Sequence, residues 1–256
     1  NRNEFVRSIR KIREYIKKGD TYQVNYTVKG KFDFSGSFSD LFTNLVFNQS
    51  AQYTSFINDG KNIIVSLSPE LFFEVKGRKI KSKPMKGTSR RGLNLIEDLN
   101  KKNELMNSVK NRAENVMIVD LIRNDLGRIS EYGSVSVPSL FEIEKYETVY
   151  QMVSTVQSRL KKNIEFSDVL KNIFPCGSIT GAPKIRTMEI INELEKESRG
   201  LYTGSIGLFI KDKMTFNVSI RTLLVNKKSG KCEIGLGSGV VWSSKAEEEF
   251  AETKLK

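Results

Sequence analysis

The sequence has no histidine in its 256 residues, and only two cysteines and one tryptophan. The missing imidazole excludes a Ser-His-Asp or Cys-His nucleophile system, and any zinc or haem site that needs a histidine ligand. Acid–base work must then fall to Glu, Asp, Lys or Tyr. Cys176 and Cys232 cannot build the disulfide framework of a small secreted domain, so two free thiols in a reducing cytoplasm are expected. No apolar run approaches the roughly 20 residues of a membrane span. Residues 1–18 are charged throughout and lack the apolar core of a signal peptide. The chain starts with Asn1 rather than Met, which predicts that it begins inside a longer gene product.

Charge is what the sequence has in plenty. The 42 Lys+Arg against 30 Asp+Glu leave a formal net charge of +12. The lysines are scattered, with acids between them, and no RNA-recognition or helix-turn-helix signature accompanies them. A solvated basic surface whose field draws in small anions is therefore expected, and no nucleic-acid partner. A non-catalytic anion- or nucleic-acid-binding protein stands as the alternative from a different class.

Apolar residues at 5, 6, 9, 12, 15 and 16 predict a helix over 4–18, stopped by Gly19-Asp20. Alternation predicts a strand over 22–34, and a helix capped by Ser37 or Ser39 over 37–49. Hairpins follow over 52–68, turning at Asp59-Gly60, and over 71–83, turning at Lys76-Gly77. Residues 83–94 hold turn formers without periodicity and read as a loop, the kind that often carries function. One long helix is expected over 103–125, strands near 134–137 and 149–160, and a short helix over 166–173. A Gly- and Pro-rich loop over 175–183 leads into a helix over 184–197 with Thr180 as its cap. Four strands over 202–242 and a last helix from 244 complete the chain. Strands and helices do not alternate regularly, which favours an α+β fold with antiparallel or mixed sheets over a doubly wound one.

Few residues stand out for chemistry. Glu249, Glu252 and Lys256 are spaced i, i+3 and i+7, so they share one helix face. Two carboxylates without histidine suit Mg²⁺, which takes one or two carboxylates plus waters and substrate oxygens; a solvated Glu-rich face has the same pattern. Lys86 reads as a nucleophile, a phosphate contact or an exposed loop lysine. Residues 177–184 (GSITGAPK), with Thr180, Gly181 and Lys184, resemble an anion cradle at a helix start, without Walker or GxGxxG spacing. Gly235, Gly237 and Gly239 lie in a strand, where glycine marks a bulge or the close approach of a ligand. Glu70 and Glu114 read equally well as surface or capping acids. The residues alone thus reach an anion-binding α+β protein whose Glu249 and Glu252 suit Mg²⁺.

The motifs taken together say more. GDTYQVN (19–25), SPELFFEV (68–75), KPMKGTSRRG (83–92), ENVMIVDLIRNDLGRI (114–129), VYQMVSTV (149–156), FPCGSITGAPKIRTMEIINELE (174–195), RGLYTGSIG (199–207), IRTLL (220–224) and GLGSGVVWSSKAEEEFAET (235–253) run in family order over almost the whole length. They resemble the chorismate-binding catalytic subunits: component I of anthranilate synthase and of aminodeoxychorismate synthase, and the isochorismate and salicylate synthases. The resemblance implies one chorismate-binding catalytic domain over 1–256, with the family's N-terminal segment shortened or absent. It implies the anthranilate synthase component I-like α+β fold, an antiparallel or mixed β-sandwich core with helices packed outside. It also implies Mg²⁺ held by Glu114, Glu252 and, through water, Glu249, with Lys256 near the ring carboxylate of chorismate. Arg221, Tyr202 and the backbone at Gly237–Gly239 resemble the site for the enolpyruvyl carboxylate, which an arginine fork suits.

Three positions separate the branches. Lys86 stands where anthranilate synthases carry alanine and aminodeoxychorismate synthases carry lysine, implying attack on ring carbon 2 and a covalent intermediate. Glu70 is implied as the acid that protonates the departing 4-hydroxyl. Gln23 stands where isochorismate and salicylate synthases place a lysine base, and an amide cannot deprotonate water. Gln151 stands where many relatives have histidine. The implied activity is amination of chorismate to 4-amino-4-deoxychorismate for folate, with tryptophan-branch anthranilate synthase as the alternative. Ammonia is expected from a separate glutamine amidotransferase subunit, since this chain cannot supply the Cys-His pair.

Overall fold

The computed structural model describes residues 2–49 and 51–255, the side chain of Leu255 excepted. Lys256 lies outside the described residues. The chain forms two compact units.

The first unit takes in Asn1–Pro69, Pro175–Ile206 and Val218–Lys256. Its strands are β1 (Gln23–Asp33), β2 (Tyr53–Asn58), β3 (Asn62–Ser68), β9 (Gly181–Ala182), β12 (Thr222–Asn226) and β13 (Lys231–Val240). They form one antiparallel sheet in the order β2-β3-β12-β13-β1-β9. Its helices are α1 (Arg2–Lys17), α2 (Phe38–Asn48), α6 (Lys184–Leu194) and α7 (Ala246–Leu255). The apolar stripe of α1 packs Phe5, Ile9 and Ile12 against Val24, Tyr26, Ile190 and Val240. Gly19, at φ +80°, ends α1 as the left-handed residue that such a stop needs. A second cluster joins Ile63, Val65, Leu67, Leu223 and Val225 to the apolar side of α2. Ser37 caps α2 by accepting the Asp40 N–H, and the Asp59 carboxylate accepts the Lys61 and Asn62 N–H groups to close the hairpin, as the sequence predicts.

The second unit takes in Glu70–Phe174 and Gly207–Asn217. Its strands are β4 (Leu71–Lys76), β5 (Lys79–Lys83), β6 (Met85–Arg90), β7 (Ser136–Lys145), β8 (Val149–Arg159), β10 (Gly207–Ile210) and β11 (Lys213–Asn217), in the order β10-β11-β4-β5-β8-β6, with β7 paired to β8. Every pair is antiparallel. The α+β class with antiparallel sheets thus holds. Helices α3 (Leu95–Asn107), α4 (Val109–Ile129) and α5 (Phe166–Ile173) belong here. Phe73 is fully buried and stacks on Phe216 across the β4–β11 ladder at 4.9 Å between centroids.

Three expectations are corrected. The segment predicted as a loop over 83–94 contains β6, which lacks apolar alternation because it is an edge strand interrupted by a bulge. The long helix is two helices that break at Ser108, whose hydroxyl accepts the Asn111 N–H and caps α4. Thr180 does not cap α6: Pro183 stands at the cap, and the Thr180 hydroxyl donates to the carbonyls of Cys176 and Gly177.

Truncating Phe73 to Ala is expected to destabilise the protein by about 3–5 kcal/mol. A lower urea midpoint with an unchanged slope would show it.

Candidate active site

In the first unit, strand alternation divides β1 into two faces. Val24 and Tyr26 enter the core under α1. Gln23, Asn25 and Thr27 take the other face, where the register pairs Asn25 with Gly239 and Thr27 with Gly237. All three polar side chains are buried. Gln23 is 0% exposed, and neither amide atom has a hydrogen-bond partner among the described residues. A buried amide unmatched by protein is costly.

The 175–183 segment lies along the start of β1. The Thr180 carbonyl accepts the Asn25 N–H at 2.7 Å, and the Ala182 carbonyl accepts the Tyr22 N–H at 2.8 Å. Gly181 has φ +146°, and a Cβ there would come 1.9 Å from the Gln23 carbonyl oxygen; only glycine fits. The N–H groups of Ile179 and Thr180 donate inside a 3₁₀ turn (Gly177–Ile179), so those two donors of the expected anion cradle are already engaged. Lys184 opens α6, half-buried.

A bidentate ion pair that the sequence reading missed ties these pieces together. Arg199 Nε and Nη2 donate to Glu195 at 2.8 and 2.7 Å. Arg199 also donates to the carbonyls of Ile179 and Asn25, while Glu195 accepts the Thr27 N–H. The four-residue spacing of Glu195 and Arg199 was the available signal. Just beyond, the Tyr202 ring occupies the space that Gly235 leaves: a Cβ there would fall 1.9 Å from the ring. The approach expected at this strand glycine is therefore made by a side chain of the same protein. Burial pushes the Tyr202 phenol up to about 12, with Arg199 opposing and Glu195 reinforcing. A Cβ on Gly237 would meet the Tyr26 carbonyl oxygen at 2.7 Å.

Arg221 is exposed and holds φ +50°, a strained conformation for a side-chain-bearing residue, while its carbonyl accepts the Leu67 N–H. Glu249 is buried on α7, and Glu252, three residues on, is exposed.

In the second unit, β6 is the organising element. Its register on β8 runs Met85↔Val153 and then Thr88↔Gln151, so Lys86 and Gly87 together oppose Met152 in a bulge. Bulges re-aim side chains and are over-represented beside active sites. Gly87 has φ +94°, and a Cβ there would lie 3.0 Å from Asn111 on α4 and 3.2 Å from Leu105 on α3. Glu114 follows Asn111 by three residues, on the same side of α4, so the fold brings Lys86 and Glu114 onto facing elements. Thr88 Oγ1 donates to Gln151 Oε1 at 2.8 Å, and Gln151 is buried. Glu70 is buried at the start of β4, where Leu71 pairs with Lys83, three residues before Lys86. Lys86, Glu70, Glu114 and Gln151 thus share one unit. The other described candidates, Glu249 and Glu252 among them, belong to the first.

Glu114, Glu249 and Glu252 offer the oxygen donors that suit Mg²⁺. Among the described residues, no group of three or more Cys, His, Asp or Glu side chains is placed to hold a metal ion.

The sequence reading also missed Asp98, on α3. Its carboxylate accepts Arg91 Nε and Nη2, both at 2.6 Å, Gly92 N at 2.9 Å and Tyr150 Oη at 2.7 Å. Hydrogen bonds from Arg91, then Tyr150 and Gly92, hold it far below the usual carboxylate range against the opposing effect of desolvation. Its partners lie seven and 52 residues away, so only the fold reveals the group.

Comparison with known proteins fixes the family. The chorismate binding enzyme family model matches residues 1–256, and the chain belongs to that family. Aminodeoxychorismate synthase component 1 of Bacillus subtilis (strain 168) is 41% identical over 253 residues, 98% of this chain and 53% of that protein. Anthranilate synthase component 1 3 of Haloarcula marismortui is 39% identical over 250 residues, 97% of this chain and 49% of that protein. The crystal structure of anthranilate synthase component I from Streptococcus pneumoniae TIGR4 superposes with a TM-score of 0.91 at 33% identity, covering 100% of this chain and 57% of that one. The chain therefore spans about half the length of the curated relatives it matches.

Two outcomes follow from the geometry. Gly235→Ala should expel the Tyr202 ring, and the phenol should then titrate nearer its ordinary value of about 10; phenolate absorbance, with Tyr202→Phe as reference, reads this. For Asp98, a depressed folded-state pKa means that its stabilisation is complete above about pH 3.9 and is lost as pH falls below that value. Asp98→Asn should therefore lose less thermal stability than the parent between about pH 4 and pH 2, as calorimetry would measure.

Proposed function

We propose that the chain is the catalytic portion of an aminodeoxychorismate synthase component I, converting chorismate and ammonia to 4-amino-4-deoxychorismate. The observation that carries this reading is Lys86 in the β6 bulge, with Glu70 at the same end of the sheet and Gln151 on the facing strand. In the proposed reaction, the uncharged Lys86 amine bonds to ring carbon 2 as both conjugated ring double bonds shift by one position, toward carbon 4. The 4-hydroxyl then departs with a proton from Glu70. Ammonia next bonds to carbon 4, both double bonds return to their first positions, and the carbon–lysine bond breaks. The proton shed by the incoming nitrogen restores Glu70. Two displacements thus replace one difficult one.

Arg221, Tyr202 and the glycine-lined face of β13 would receive the enolpyruvyl carboxylate; the strained backbone of Arg221 and the neutral phenol of Tyr202 support this. The 175–183 turn and Lys184 would complete the substrate contacts, and Gln23 offers an amide that can orient but not deprotonate. Family resemblance is what assigns Mg²⁺ to Glu114, Glu249 and Glu252; when bound, it would supply positive charge against the ring carboxylate. Ammonia would come from a separate glutamine amidotransferase; "component 1" in the relatives' names supports a partner chain. The two unbridged, buried cysteines support a reducing compartment, the cytoplasm.

Anthranilate synthesis is the second reading, favoured by the near-equal identity of the Haloarcula marismortui relative. Incubation with chorismate, Mg²⁺ and ammonium should yield a product that becomes 4-aminobenzoate only after a lyase is added. Anthranilate fluorescence would overturn the first reading in favour of the second. Lys86→Ala is expected to lower turnover by more than about 10³-fold; near-normal rates would refute the covalent step.

A further inference from the structure

Strand β6 stands at the end of its sheet, so only one side of it is paired, and that ladder is broken by the bulge at Lys86 and Gly87. The direction of the Lys86 side chain therefore depends on what fixes β6 on either side of the bulge. Before it, the Pro84 carbonyl accepts the Ser154 N–H at 3.2 Å. After it, the Thr88↔Gln151 and Ser89↔Tyr150 rungs are followed by Arg91 and Gly92, both of which donate to Asp98, as does Tyr150 from the opposite strand. Arg91 also lies over the Tyr150 ring at 4.9 Å and donates to the Tyr146 carbonyl. One buried carboxylate on α3 thus ties Tyr150, one rung beyond Gln151 on β8, to Arg91 and Gly92, which directly follow the end of β6.

We propose that Asp98 is a positioning residue for Lys86: its four hydrogen bonds hold β6 and β8 in the register that forms the bulge and aims the lysine. The proposal rests on the reading of Lys86 as the reacting amine. An amide at position 98 keeps the shape of the carboxylate. It loses the bidentate ion pair and must turn an NH₂ group toward one of its donors. The bulge then loses the anchor on its far side, and a nucleophile displaced by about 1 Å can cost on the order of 100-fold in rate while ground-state binding is retained.

The test is Asp98→Asn in the full chain, with two readouts. Steady-state kinetics with chorismate, Mg²⁺ and ammonium should show kcat down by at least about tenfold and KM changed by less than about threefold. Labelling of lysines with pyridoxal 5′-phosphate and borohydride, mapped by peptide mass, should change at Lys86 by more than about threefold while the other lysines keep their rates. Unchanged kcat with unchanged Lys86 labelling would overturn the proposal, as would a general change over all lysines. If Asp98→Asn does not accumulate as folded protein, Tyr150→Phe removes a single donor. It should move both readouts in the same direction by a smaller factor, and no movement there would equally overturn the proposal. If the parent protein makes no aminodeoxychorismate, the functional reading fails, and the Lys86 labelling alone then decides the role of Asp98.

Discussion

The ladder between β1 and β13 is the constraint on which the first unit depends. Its register runs without a break from Val24↔Val240 to Asp33↔Lys231, and the period of two leaves no freedom in which residues go where. One face takes Val24, Tyr26 and Val240 into the core with α1 and α6. The other must then carry Gln23, Asn25 and Thr27, with Asn25 opposite Gly239 and Thr27 opposite Gly237. A slip by one residue would bury the polar set under α1 and expose the core, so the hydrophobic demand of one face fixes the composition of the other. The glycines have their own local causes: Tyr202 fills the space at Gly235, and the β1 backbone crowds Gly237.

The second unit solves a different problem, that of holding an edge strand with an irregular ladder. Strand β8 pairs with β5, β6 and β7, and β6 adds little apolar burial of its own. Charge-assisted hydrogen bonds around Asp98 take over the work that apolar alternation does elsewhere. The Arg199–Glu195 pair does the same for the turns around Gln23. Both are bidentate, largely buried guanidinium–carboxylate pairs whose remaining donors reach backbone carbonyls. Such pairs specify geometry more than they add stability, because the desolvation they suffer offsets much of the attraction. They tolerate loss of a partner poorly for the same reason.

Most of the elements were legible because their causes are local. The α1 stripe, the Ser37 cap, the Asp59-Gly60 turn and the glycine at position 77 each act within a few residues. Strand β6 was not legible, since Met85-Lys86-Gly87-Thr88-Ser89-Arg90 has no alternation, and its pairing is set by β8, some 60 residues on. The break at Ser108 was hidden because residues on both sides favour helix and a single capping hydroxyl marks it. The candidate site divides in the same way. Its candidate residues could be picked out by motif, while Asp98 and Tyr150 are brought together only by tertiary structure, and the Glu195–Arg199 pair, local in sequence, reaches β1 only in the fold.

The absence of histidine has a consequence for what the remaining polar groups can do. Gln23 and Gln151 stay neutral at every pH at which the protein is folded, and the Tyr202 phenol keeps its proton to about 12. Such groups can donate and accept but cannot exchange a proton with substrate near neutrality. Proton traffic is thereby confined to carboxylates and lysines, whose ordinary values lie well to either side of pH 7 and which work there only when their surroundings bring them closer. A lysine at position 23, buried and without partners, would lose its proton readily and become a base. Glutamine at that depth forgoes this ability while keeping an amide that can both donate and accept. The same holds at Gln151, a buried amide whose oxygen accepts the Thr88 hydroxyl. Without histidine, a nucleophile or an acid–base group working near neutrality must be drawn from side chains such as the candidates Lys86 and Glu70.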